Sequence, residues 1–149
     1  MHRTAAPDHP VCTCEVLRRL SRRMTVVYDR ELAATGLTVG QYSLLVNIGD
    51  ATVTLSQLAR LVAADRTTLT RTLAPLVAAG WVLVTPGADA RTRLVSLTAA
   101  GRRKAAEARG LWQRAQDRIA GALSPALTGQ LHNLVADAMR RLRPFVAEN

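Results

Sequence analysis

The sequence predicts a mainly α-helical fold with one small β-hairpin, an α+β arrangement of four helices, a hairpin and two further helices. Three observations carry this. Helix-start signals recur just ahead of apolar runs with helical spacing. Two short strand-forming runs flank one turn-prone stretch, Pro86 to Arg91. Helical apolar periodicity occupies both ends of the chain. The 149 residues, 48% of them hydrophobic, have the size of one domain, 1–149, with enough apolar material for a core.

Taken in order, residues 1–13 contain Pro7 and Pro10 and little apolar pattern, and read as a mobile arm. A first helix is predicted from about Cys14 to Ala34. Leu17, Leu20, Met24, Val27, Tyr28 and Leu32 fall on one stripe, and Gly36 ends the helix as a left-handed cap. Thr38, with Gln41 three residues on, makes a capping box for a second helix. Its buried face is read as Tyr42, Leu45, Val46 and Ile48, and Gly49 closes it. Thr54 and Gln57 repeat the signature for a third helix carrying Leu58, Leu61 and Val62. Asp65 caps a fourth, with Leu69, Leu73, Leu76 and Val77 on its apolar face and Gly80 at its end. Pro75 removes an amide inside that helix and costs about 3 kcal/mol in a helix interior, so a local kink is expected.

Trp81–Thr85 and Arg93–Leu97 then form the hairpin. Thr98 caps a long fifth helix, to about Ala122. Ser124 and Pro125 are the cap and first residue of a sixth, bearing Leu127, Leu131, Leu134, Val135, Ala138, Met139 and Leu142, with Pro144 at its fraying end.

Charge adds a functional pointer. The net charge is +9, unevenly spread. Residues 54–104 carry seven Arg and one Lys against Asp65 and Asp89, a net of +6 in one third of the chain. An Arg-rich composition accounts for many arginines but not for their clustering, which is the footprint of a polyanion-binding module. Tyr28, Tyr42, Trp81, Trp112 and Phe145 are the only aromatics. Single-strand and RNA binders need stacking platforms, so this scarcity favours duplex DNA.

Two short helices joined by a tight connection are helix-turn-helix architecture, and a ribbon directly after them makes a wing. The start of the second helix of such a pair enters the major groove. Here that stretch offers Arg66, Thr67, Thr68, Thr70 and Arg71, with Leu69 turned inward. Arginine donates to guanine in bidentate fashion, and threonine pairs with bases or touches a thymine methyl. Arg91 and Arg93 at the hairpin tip suit a narrow minor groove, and Asp89 either orients Arg91 or holds the turn.

These residues resemble the MarR family of bacterial regulators. Asp89-Ala90-Arg91-Thr92-Arg93-Leu94-Val95-Ser96-Leu97-Thr98-Ala99-Ala100-Gly101 matches its wing pattern of Asp-x-Arg, an apolar strand, then Leu-Thr-x-x-Gly. Thr70-Arg71 followed by Leu76 and Gly80 resembles its recognition helix, and Leu55-Ser56-Gln57-Leu58-Ala59 the helix before it. The likeness spans about residues 14–147. It implies a winged helix-turn-helix over 38–103, with dimerisation helices in 14–36 and 104–147. It also implies a homodimer on an inverted-repeat operator in double-stranded DNA, acting as a repressor released by a small molecule such as an aromatic acid. A nonspecific architectural DNA binder is the alternative within the DNA-binding class.

Other features of the sequence bear on function. Arg18, Arg19 and Arg22 lie opposite the apolar stripe of the first helix. Arg18 and Arg22 are candidates for an anionic effector, against the commoner reading of a solvated face. His9, Cys12 and Cys14 concentrate soft ligands. A metal site lacks an evident fourth ligand, so no metal or cofactor is assigned. Cys14 near a helix start suits a redox sensor, as known in some relatives of the resembled family. Inert packing of both cysteines is preferred, with redox ranked above metal. No nucleophile elbow, metal-hydrolase spacing or phosphate-cradling glycine loop is present, so an enzyme is not expected. The absence of a signal-peptide pattern or a membrane-length apolar run points to a cytoplasmic protein without a membrane partner.

Overall fold

A computed structural model describes residues 11–89 and 91–146. Its elements run α1 Thr13–Leu32, a single 3-10 turn Ala33–Thr35, α2 Val39–Ile48, β1 Val53–Thr54, α3 Leu55–Leu61 and α4 Arg66–Ala78. There follow β2 Val82–Pro86, β3 Arg93–Leu97, α5 Ala99–Leu123 and α6 Pro125–Val146. Most of the expected mobile arm falls outside the described residues, and α1 begins at Thr13, one residue earlier than the sequence suggested.

The helix starts form for the expected reason. Thr38 and Thr54 each accept from the amide three residues on, while Gln41 and Gln57 reach back to the cap amide. Each box satisfies two amides that a helix start leaves orphaned. Asp65 caps α4 by accepting from the Thr68 amide at 2.9 Å. Gly36 is left-handed, at φ 71°, but it closes the 3-10 turn rather than α1 itself.

The hairpin is wider than the sequence indicated. The two-residue β1 pairs antiparallel with β3, giving a three-stranded sheet of order β1-β3-β2. Val53 lies opposite Val95, and Val84 lies opposite the same residue from the other side. Val95 is therefore fully buried at the centre of the sheet.

The core gathers Leu32, Leu37, Leu45, Ile48, Leu58, Leu69, Leu76 and Val95 from six different segments. Burying a leucine side chain contributes about 1.5–3 kcal/mol, and truncating one to alanine costs about 2–5 kcal/mol. Small residues line α5 where it meets this core. Ala108 and Ala115 are fully buried, which lets α1 and α2 approach its backbone closely.

Several expected core positions are corrected. Val46, Leu61 and Val77 are exposed. Val46 and Val77 each sit one residue, about 100° of helix, past a buried Leu45 or Leu76, which carries them to the rim. Leu61 is the last residue of α3, where the chain turns away. Leu44, unremarked in the sequence, is buried in place of Val46. Neither inner proline ends its helix: α4 runs through Pro75 and α6 runs through Pro144.

Candidate nucleic-acid interface

The turn between α3 and α4 is tight. Ala63 takes a left-handed conformation, φ 50°, while its amide donates to Arg60 and the next amide donates to Ala59. This reversal aims the start of α4 outward. Leu69, Leu73 and Leu76 face the core, and Arg66, Thr67, Thr68, Thr70 and Arg71 are all exposed. Arg66 with Thr70, and Thr67 with Arg71, are each four residues apart, so they share one outer face.

The threonines are not equivalent. The Thr68 hydroxyl donates to Asp65 at 2.6 Å, and the Thr70 hydroxyl donates back to the Arg66 carbonyl at 2.8 Å. Thr67 makes no side-chain hydrogen bond among the described residues. The Thr68 contact, first through its hydroxyl and then its amide, holds the Asp65 carboxyl below its ordinary range. The cap is thus an anion at neutral pH.

Asp89 resolves the choice left open by the sequence. Its carboxylate accepts from the Arg91 amide at 2.8 Å, the Thr92 amide at 2.7 Å and the Thr92 hydroxyl at 3.0 Å. It holds the turn through the backbone and forms no ion pair with the Arg91 guanidinium. Those bonds, led by the Thr92 hydroxyl, lower its carboxyl pKa. Arg91 and Arg93 stand exposed at the tip.

Several arginines of the helices outside this face are neutralised by carboxylates. Arg114 and Arg118 pair with Glu31, and Arg140 and Arg141 pair with Asp137. Among the described residues, Arg66, Arg71, Arg91 and Arg93 pair with no carboxylate. Four uncompensated guanidiniums therefore project from α4 and the sheet tip together.

The MarR family profile matches residues 35–92, which span α2 through the turn after β2. The M. tuberculosis transcriptional regulator MosR, solved in complex with DNA, is 37% identical. The match covers 87% of this chain and 99% of that one, with a TM-score of 0.74. The chain belongs to the MarR family. MarR proteins are DNA-binding transcription regulators. Two more distant structures share the fold. A cysteine-to-serine variant of E. coli MarR with operator DNA is 24% identical over 85% of this chain and 92% of that one, at TM-score 0.76. Bordetella bronchiseptica BpsR, described in terms of regulation of DNA binding by 6-hydroxynicotinic acid, is 23% identical over 91% and 99%, at TM-score 0.79. No curated protein matches the chain in sequence.

A second constellation was not seen in the sequence. Tyr28, Val39, Tyr42, Ser43, Arg109 and Trp112 border an open cavity of about 660 Å³ between α1, α2 and α5. The Tyr42 and Trp112 rings lie 5.9 Å apart at 35°. Burial raises the Tyr28 and Tyr42 phenol pKa values, with Arg109 pulling Tyr42 the other way. Three of the five aromatics line this one cavity with Arg109, and they come together only when α1, α2 and α5 pack.

Arg18 and Arg22 lie elsewhere, along a groove with Cys14, Leu17 and Leu142. Cys12 and Cys14 are exposed free thiols, and Cys12 occupies the cap position of α1 without a side-chain capping bond. No group of metal-binding residues forms among the described residues, and His9 lies outside them. No described helix is long and apolar enough to cross a membrane.

Proposed function

We propose that this MarR-family regulator binds an inverted-repeat operator as a homodimer, in the cytoplasm, and represses transcription until a small aromatic anion releases it. The observation that carries DNA contact is the set of unpaired guanidiniums at Arg66, Arg71, Arg91 and Arg93 on the α4 and wing face. Free cations there release counterions from phosphate, and a protruding α4 fits the major groove. Dimerisation is supported by apolar side chains left open on α1 and α6. Leu17, Leu134, Met139, Leu142 and Phe145 are all exposed, apolar side chains that a second copy of the chain would cover.

The Arg109 cavity supports the effector reading better than Arg18 and Arg22 do. The Tyr42 phenol and the Arg109 guanidinium offer donors to a carboxylate, and Trp112 offers a face to an aromatic ring. The solved complex of MosR with DNA and the BpsR link to 6-hydroxynicotinic acid support the two halves of this proposal by likeness.

The test uses full-length protein and an operator selected from random duplexes. Light scattering should give twice the chain mass, and binding should favour one inverted repeat over unrelated DNA. A narrow spread of affinities across all duplexes would instead mark an architectural protein. Titrating 4-hydroxybenzoate, as a probe of the aromatic-acid class, should release the operator, and Arg109→Met should blunt that release.

One observation favours a second, thiol-based control. Exposed Cys14 lies in the first turn of α1, on the same groove as Arg18 and Arg22. Peroxide should then weaken operator binding, a thiol reductant should restore it, and Cys14→Ser should abolish the response while keeping basal binding.

A further inference from the structure

Asp29 lies in the last turns of α1, and its Oδ1 accepts a hydrogen bond from the Val39 amide at 2.7 Å. Val39 is the first residue of α2. This bond is not needed to start α2, because the Thr38–Gln41 capping box already does so locally. What it adds is a fixed position of α1 against the beginning of α2. A carboxylate on a helix N-terminus is a charge-assisted, directional contact, aided by the helix dipole.

The neighbouring residues of α1 point the other way. The Tyr28 hydroxyl donates to Gln116 at 2.6 Å, and Glu31 pairs with Arg114 and Arg118. α1 is thus tied to α5 by several polar links. To α2 its polar link, among the described residues, is the Asp29 hydrogen bond alone, beside the direct packing of the two helices. α2 packs against α5 as well as against α3, α4 and β3, so its placement, fixed by that packing and by the Asp29 bond, carries the reading head with it.

We propose that Asp29 is a positioning residue that sets the angle of the helix-turn-helix against the α1–α5–α6 unit, and through it the half-site spacing the protein accepts. This rests on the dimeric, inverted-repeat reading above. One added base pair moves a half-site by about 3.4 Å and rotates it by about a tenth of a turn. A small rotation of α2 to α4 is therefore read out as a changed spacing.

The experiment measures affinity for a selected half-site arranged as inverted repeats whose separation varies one base pair at a time. Wild type, Asp29→Ala, Asp29→Asn, Val39→Pro and the Asp29→Ala/Val39→Pro double variant are compared, each with its mass and melting curve. Val39→Pro deletes the donor at a helix position where proline is favoured, and Thr38 before it is already extended at φ −83°, ψ 162°. Wild type should prefer one spacing. Asp29→Ala and Val39→Pro should each reduce that preference by about three- to tenfold, the size of one such bond. The double variant should add nothing, and Asp29→Asn, which keeps an acceptor oxygen, should retain the preference. If Asp29→Ala does not fold, Val39→Pro decides alone. Unchanged spacing preference in the folded variants, or equal loss at every spacing, overturns the proposal. A wild type that binds as a monomer or ignores spacing overturns the dimeric reading beneath it.

Discussion

Gly101 lies directly against Trp81: a Cβ at position 101 would stand 2.0 Å from the Trp81 carbonyl oxygen. That oxygen accepts from the Thr98 amide at 3.0 Å, and the Thr98 hydroxyl donates to the Gly80 carbonyl at 2.7 Å. Lys104 closes the corner, its Nζ 5.1 Å from the centre of the Trp81 ring. The wing root and the start of α5 are joined by backbone at this point. The Leu-Thr-x-x-Gly pattern thus has a physical cause: the threonine caps α5 and the glycine leaves room for the strand.

Gly101→Ala tests this directly. Alanine gains about 1 kcal/mol of helix propensity, but the clash is with backbone that cannot swing aside. A net loss of about 1–2 kcal/mol is expected, or about 2–8 °C in Tm at fixed protein concentration. Gly110→Ala on the same helix has open space around it and should raise Tm slightly. Equal melting of Gly101→Ala and wild type would show that the strand and helix do not approach this closely.

The turn inside the helix-turn-helix allows an opposite experiment. Ala63 is held at φ 50°, where a Cβ is strained and glycine is not. Ala63→Gly exchanges that strain for a more flexible unfolded chain, so it should be neutral or stabilising by up to about 0.5 kcal/mol. Ala59→Gly, within α3, should cost about 1 kcal/mol. Chemical denaturation of the two variants side by side checks the sign of the difference.

Much of this fold was legible because its cues are local. Thr38, Thr54, Asp65 and Thr98 all cap as their spacing indicated, since a capping bond spans three residues. Pairings over long separations were not legible. β1 is two residues long, and only its partner Val95, some forty residues away, makes it a strand. The Arg109 cavity likewise needs α1, α2 and α5 to be packed before Tyr28, Tyr42 and Trp112 meet. Residues on a helix rim, such as Val46 and Val77, are decided by docking geometry rather than by periodicity. In the reading helix the residue types were evident, but the engagement of the Thr68 hydroxyl with Asp65 was not.

That engagement gives a pH prediction. Asp65 has its pKa lowered in the folded state, chiefly by the Thr68 hydroxyl and amide. A depressed carboxyl contributes stability above its unfolded value and loses it as pH falls through the lower folded value. The Tm difference between wild type and Asp65→Ala should therefore be full at neutral pH. It should shrink only once pH drops below the ordinary aspartate value of 3.8. A difference already lost at pH 5 would mean that the carboxylate is not what caps α4.

The two DNA-contacting elements should fail in different ways. Arg91 projects from a turn whose shape is set by Asp89, and its guanidinium is unpaired among the described residues. In a narrow minor groove it meets shape and potential rather than base identity. Arg91→Ala should weaken binding to many sequences alike and lower the salt slope by about one phosphate equivalent. Thr67 is exposed on the outer face of α4 with an uncommitted hydroxyl, whereas the Thr68 hydroxyl is held by Asp65. Thr67→Ala should therefore alter base preference at particular operator positions by about 1–3 kcal/mol, with the salt slope unchanged. Thr68→Ala should act mainly on α4 stability, by loosening the Asp65 cap. The measurement is a binding titration at several salt concentrations against a library of operator variants. An Arg91→Ala protein with wild-type affinity and slope would remove the wing from the interface. A Thr67→Ala protein with wild-type base preference, beside a Thr68→Ala protein with an altered one, would reverse the assignment of the reading threonine.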